Sequence, residues 1–173
     1  IEFADTQIPG VEVRPMSVDQ LGGLAMTDVF LAFDVLDRCV DPELLFARAH
    51  EILAPGGLLL ATTTLGSGFD IQVLWEHAEG VYPPERLNLL SVEGLTDLFQ
   101  RHGFEALEFS TPGMFDVESV LHEMASQPEG ELPRFIRYLM KNRGDEAREA
   151  LQEFLQRFRL SSFGRIALRK TTA

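Results

Sequence analysis

The sequence holds a single cysteine, Cys39, in 173 residues. One thiol excludes an intramolecular disulfide framework and any cysteine-cluster zinc site, so no metal ligand set is expected. Long apolar runs are missing as well. The longest, around Leu58 to Ala61, is strand-sized and far short of the ~18 residues that a membrane span needs. No basic segment followed by an apolar one opens the chain, so nothing suggests secretion; a cytoplasmic protein without a membrane partner is the expectation. The first residue is Ile1 rather than Met, which points to residues upstream. Positive charge is also scarce. A formal net charge of -12 disfavours a general nucleic-acid binder, because neutralising phosphates needs clustered Lys and Arg.

The charge that is present is unevenly placed. Residues 1–130 carry 5 basic and 22 acidic side chains, and residues 131–173 carry 10 basic and 5 acidic. The basic end is either a solvated helical face or a patch that attracts an anionic partner. An apolar content of 45% suffices for the core of one domain.

Hydrophobic periodicity orders the chain. Val11 to Arg14 alternates as a short strand, and Asp28 to Phe33 is almost continuously apolar, as in a strand covered on both faces. Asp41 and Pro42 suit the cap and first turn of a helix from Pro42 to Leu53. Ala54-Pro55-Gly56-Gly57 then turns the chain into a strand from Leu58 to Thr63. A short helix is expected from Phe69 to His77, and one from Ser91, as cap, through Arg101, with Gly103 as a left-handed stop. Phe104 to Phe109 is the next strand. Helices over Asp116 to Met124, Leu132 to Met140 and Asp145 to Phe158 precede a last strand, Gly164 to Lys170. Strands alternating with helices predict an α/β fold, a doubly wound and mostly parallel sheet with helices on both faces. Residues 112–160 read as a helical insertion before the last strand, within one domain over 1–173.

Three stretches then resemble one family. They are Asp28-Val-Phe-Leu-Ala-Phe-Asp34 running on to Asp41-Pro42, Ile52-Leu53-Ala54-Pro55-Gly56-Gly57, and the His102-Gly103-Phe104 junction. In this order they resemble class I, Rossmann-like S-adenosylmethionine-dependent methyltransferases over roughly residues 11–110, and Ser161 to Lys170 resembles the family's closing antiparallel strand. The resemblance implies a sheet ordered 3-2-1-4-5-7-6, of which this chain supplies strands 3, 4, 5, 6 and 7. The glycine-rich loop that lets backbone approach the cofactor is absent from the 173 residues, so the chain is expected to be the carboxyl-terminal portion.

S-adenosyl-L-methionine is the cofactor that the resemblance implies. Ala32, Phe33 and Asp34, at the carboxyl end of a strand where ligands sit in open α/β sheets, would line its pocket. The position for the adenine contact falls on Ser17, where the family often has an acid, with Asp19 two residues on. Asp34, Asp37, His77 and His102 are candidate bases, of which Asp37 and His77 are the catalytic candidates and His102 reads as a capping or surface residue. Thr64, Trp75, Tyr82 and Arg86 are candidate acceptor contacts. The acceptor would be a small polar molecule, and the Trp75-to-Asn88 segment resembles a subgroup that accompanies sugar and polysaccharide pathways.

Two other readings compete. Gly66-Ser67-Gly68 after a strand partly imitates a dinucleotide fingerprint, although the third glycine expected near Ile71 is missing. Alternatively the chain is a non-catalytic remnant whose late helices, with Arg134, Arg137 and Lys141 at helical spacing, mediate homodimer formation or partner binding.

Overall fold

The computed structural model describes residues 14–126 and 132–172. Four strands form one sheet: β1 (Thr27–Phe33), β2 (Leu53–Thr64), β3 (Phe104–Ser110) and β4 (Phe163–Lys170). Their order across the sheet is β1-β2-β4-β3. β1 and β2 are parallel, with Val29 opposite Leu58 and Phe33 opposite Thr62. β4 runs antiparallel to both neighbours, so β1, β2 and β3 share one direction and β4 is wedged between them reversed. This matches the 4-5-7-6 half of the expected sheet. The expected Val11-to-Arg14 strand falls largely outside the described residues.

The helices begin where local chemistry starts them. α1 (Pro42–Ile52) has Pro42 in its first turn, and the Asp41 carboxylate accepts from Leu44 N. α3 (Val92–Arg101) is capped by the Ser91 hydroxyl, which accepts from Gly94 N, and the chain reverses at Gly103 with φ +74°. Phe46, Ala49, Leu95 and Phe99 from these two helices bury against Ala32, Leu59, Ala61, Ile166 and Leu168 of one sheet face. On the opposite face the apolar side chains of β1 stand open: Val29, Leu31 and Phe33 are 44%, 57% and 58% exposed. Helical cover on both faces was expected; over β1 the described residues leave this face uncovered.

A second core forms beyond the sheet. α2 (Phe69–Leu74), α4 (Asp116–Ser126), α5 (Arg134–Asn142) and α6 (Asp145–Arg157) bury Ile71, Leu74, Val117, Val120, Met140 and Leu155 together. The three helices α4 to α6 lie between β3 and β4 in the chain, where the sequence places its helical insertion.

Three boundaries differ from the sequence reading for local reasons. β2 starts before the Pro55-Gly56-Gly57 turn, because Leu53 leaves α1 directly into extended backbone and pairs with Thr27; the turn is then a bulge inside the strand. The Phe69-to-His77 helix breaks at Trp75, whose φ of +51° separates α2 from a 3-10 turn over Trp75–His77. α5 starts at Arg134 rather than Leu132, since Pro133 keeps the residue before it out of helical backbone.

Candidate functional site

Asp34 is the residue on which the carboxyl end of the sheet turns. Its φ of +53° is uncommon for a residue with a Cβ. A local ring of hydrogen bonds holds it there. Asp34 N donates to the Thr62 carbonyl at 3.0 Å and to the Thr62 hydroxyl at 3.1 Å, and that hydroxyl donates to the Asp34 carboxylate at 2.9 Å. The first residue past β1 is thereby locked to the parallel neighbour strand, and the backbone bends away. Two clefts open at this bend, and Asp34 lines both.

The first cleft, of about 590 Å³, runs along the outer side of Asp34 past Ser17, Asp19, Val35, Val40 and Leu44. Ser17 and Asp19 are placed by a 3-10 turn, Val18–Leu21, at whose start Ser17 N donates to the Gln20 side chain at 2.9 Å. The Ser17 hydroxyl is the main influence holding the Asp19 carboxyl below its ordinary range, with its own backbone amide next and the Arg48 charge assisting. Asp19 is therefore an ionised acceptor beside apolar walls. Ser17, Asp19 and Asp34, three of the five expected cofactor contacts, meet in this one cleft. Ala32 is instead buried in the core at 2% exposure, and Phe33 points to the open sheet face.

The second cleft, of about 310 Å³, lies on the inner side of Asp34. It collects chain segments that are far apart in sequence: Thr64 ending β2, Asp70 in the first turn of α2, Asp116 opening α4, and Ser162 before β4. Thr64 and Arg86, two of the expected acceptor contacts, line it. Trp75 and Tyr82 are exposed on the surface outside its lining.

Asp37 supports this wall from behind. It is 1% exposed, and Arg86 Nε approaches its Oδ2 at 3.5 Å. The Asp37 carbonyl accepts from Leu87 N at 2.7 Å and Asn88 N at 3.1 Å, and the Arg86 guanidinium also donates to the Thr64 hydroxyl. Arg86 is thus held in place by groups on two sides. Asp37 lines neither cleft. His77 sits half-exposed between Glu76 and Glu123, each at 3.9 Å, and also lines neither. His102, read as a capping residue, contacts Glu43 at 2.6 Å at the opposite end of the sheet.

Three carboxylates in the inner cleft, Asp70, Glu79 and Asp116, were not singled out from the sequence. Asp116 is saturated: Oδ1 accepts from Ser162 N, and Oδ2 from the Ser161 hydroxyl and the Gln152 amide, each at 2.7 Å. Asp70 is not. It is 7% exposed, and its Oδ1 has no hydrogen-bond partner. Burial pushes its carboxyl above the ordinary value, and the Asp116 charge adds to this while the Ser162 side chain opposes it. Because the folded state binds this proton more tightly than the unfolded one, any stabilisation from Asp70 is complete below the ordinary carboxylate range. It is lost as pH rises through the raised value, so at neutral pH the ionised group is a liability. Asp70→Asn is therefore expected to melt at the same temperature as the parent, or higher, at pH 7 in a thermal denaturation. A drop of several degrees would mark Asp70 as a structural acceptor instead.

The glycines of the apparent dinucleotide fingerprint have another use. A Cβ on Gly66 would lie 2.6 Å from the Leu89 carbonyl, and one on Gly68 2.2 Å from Ser162 Cα. Both glycines admit the protein's own backbone at these points. No group of three His, Cys, Asp or Glu among the described residues could hold a metal ion. No helix among them is long and apolar enough to cross a membrane.

Comparison with known proteins agrees with the fold. The family model of a methyltransferase domain matches residues 5–108. No curated protein matches the chain. Among solved structures, a SAM-dependent methyltransferase from Thermotoga maritima superposes with a TM-score of 0.55 at 20% identity, over 94% of this chain and 65% of that one. A candidate sarcosine dimethylglycine methyltransferase from Galdieria sulphuraria gives 0.53 at 17% identity, over 90% of this chain and 58% of that one. At such identities the likeness is one of fold, and the chain spans about a third to two thirds of the length of the solved structures it matches. The match over residues 5–108, together with strands ordered as in the 4-5-7-6 half of the expected sheet, places the chain in the methyltransferase domain family.

Proposed function

We propose that the protein transfers a methyl group from S-adenosyl-L-methionine to a small polar acceptor, an amine or a hydroxyl, and that these 173 residues supply the acceptor cleft and one side of the cofactor groove. The observation that carries this reading is the meeting of two clefts at Asp34, at the carboxyl end of β1. A cofactor in the outer cleft and an acceptor in the inner one would face each other across a single residue.

The residues of the outer cleft fit an adenine. Val35, Val40 and Leu44 offer apolar surface for its ring, and ionised Asp19 suits its exocyclic amine. The bound cofactor would supply a methyl group activated by a sulfonium. What the chain contributes is alignment: the Asp34–Thr62 ring fixes the strand end, and Arg86, held by Asp37 and Thr64, fixes the inner wall. Alignment of this kind supplies much of the rate of an in-line displacement. Contacts to the ribose and methionine portions would come from residues alongside the open edge and open face of β1, where Val29, Leu31 and Phe33 now face outward.

Calorimetric titration with S-adenosylhomocysteine tests the proposal. The 173-residue chain is expected to bind at least about 30-fold more weakly than an extended product that also carries a glycine-rich cofactor loop, a difference of about 2 kcal/mol. In the extended product Asp19→Asn is expected to weaken binding about tenfold, the value of one charge-assisted hydrogen bond. Absence of binding by both products would favour the partner-binding remnant, which the open apolar face of β1 would also suit.

A further inference from the structure

The inner cleft has a decided electrical character. Asp34, Asp70, Glu79 and Asp116 line it, against one guanidinium, Arg86. That guanidinium is already committed to Asp37 and Thr64, and Asp116 is saturated by three donors. The charged groups left over are all carboxylates, beside neutral hydroxyls such as that of Ser119, and one carboxylate oxygen, Asp70 Oδ1, is buried without a partner. Beside these carboxylates stand Met114 and Phe115, exposed at 70% and 67%, and Phe163 at 40%.

We infer that the inner cleft takes a protonated amine carried on an apolar body, with Asp70 Oδ1 receiving an ammonium N–H, Glu79 and Asp34 adding negative field at the rim, and Met114, Phe115 and Phe163 covering the apolar part. The inference rests on the methyl-transfer reading for the use of such a ligand, as an amine acceptor, and on the cleft alone for its binding. Asp70 Oδ1 is a buried carboxylate oxygen lacking a donor, although the Ser162 side chain serves the same carboxyl. Such an oxygen is costly in the free protein, and an ammonium ion supplies the donor and the opposite charge together. An uncharged hydroxyl would supply only the donor, and a carboxylate ligand would meet four carboxylates against one guanidinium. Asp70, held above the ordinary carboxyl range, is also suited to take the ammonium proton at Oδ1 and so free the nitrogen lone pair.

The test uses three probes of one shape, 2-phenylethylamine, 2-phenylethanol and 3-phenylpropanoate, titrated without cofactor into the isotope-labelled 173-residue chain and followed by amide chemical shifts. The amine is expected to bind at least about tenfold more tightly than the alcohol, the anion most weakly of all, with shifts at Gly80, Gly113 and Ser162. Asp70→Asn is expected to erase the preference for the amine while leaving the melting temperature at or above that of the parent. Glu79→Gln, on the exposed rim, is expected to reduce the preference about threefold. Equal binding of amine and alcohol, or tightest binding of the anion, overturns the inference, as does an Asp70→Asn variant that keeps the preference. The outcome is independent of the S-adenosylhomocysteine titration. Amine preference without cofactor binding would leave the cleft assignment standing and the methyl-transfer reading fallen, and the converse result would do the reverse.

Discussion

Asp116→Ala is expected to lower the stability of the protein by about 4 kcal/mol, the range found when a buried, hydrogen-bonded carboxylate is removed from its partners. Asp116 is 3% exposed and joins three parts of the chain. It opens α4, its Oδ1 holds the backbone of Ser162 just before β4, and its Oδ2 receives the Ser161 hydroxyl and, from α6, the Gln152 amide. Gln152 continues the network, accepting from Val117 N at 3.0 Å and donating to the Gly113 carbonyl at 2.9 Å. Alanine removes the acceptor from a backbone amide, a hydroxyl and one of the two Gln152 side-chain N–H groups at a residue only 3% exposed. For a chain of this length the loss corresponds to a fall of about 10 °C in Tm. Asp116→Asn, which keeps one acceptor oxygen, should lose about half as much. A thermal scan placing Asp116→Ala within 2 °C of the parent would show that water replaces the carboxylate and that the three elements are joined by packing alone.

The contrast between Asp116 and the features legible in the sequence is instructive. The starts of α1 and α3, the reversal at Gly103 and the parallel pairing of β1 with β2 were all readable, because each depends on residues a few positions apart or on an apolar run of strand length. The outer cleft was partly readable, since Ser17, Asp19 and Asp34 occupy positions that a family resemblance singles out. Asp70 and Asp116 were not. Taken locally, each is an acidic residue in the first turn of a helix, a placement that the helix dipole alone explains. Their meeting is made by the return of β4 between β2 and β3, which brings Ser161 and Ser162 alongside residues that lie 45 or more positions earlier. His77 and Trp75 lie outside both clefts for the opposite reason. Both follow α2 closely in sequence, but the backbone turns at Trp75 with φ +51° and carries them to the surface.

Gly68→Ala should be nearly as damaging as the loss of Asp116, with an expected cost of about 3 kcal/mol from overpacking. Its backbone, at φ -67° and ψ 147°, is one that any residue adopts, so conformational strain is not the cause. The cause is the 2.2 Å separation between the added Cβ and Ser162 Cα, with Ser162 N at 2.5 Å. Neither chain can retreat easily. Leu65 N donates to the Ser162 carbonyl and Phe69 N to the Leu160 carbonyl, each at 2.7 Å, so hydrogen bonds on both sides of Gly68 fasten the start of α2 to the start of β4. Relief requires Ser162 to move, and with it the amide that Asp116 holds. The inner cleft, which Asp70, Asp116 and Ser162 share, would open along that seam. Gly144→Ala provides the control: a Cβ there meets nothing within 4 Å, and φ is -76°, so its urea midpoint should equal that of the parent. Gly68→Ala should unfold at a clearly lower urea concentration and bind 2-phenylethylamine at least about tenfold more weakly even where it remains folded, because its damage falls on the wall that holds Asp70. Equal midpoints for the two variants would mean that the seam between α2 and β4 yields without cost, and that close approach of the two backbones is not why glycine stands at position 68.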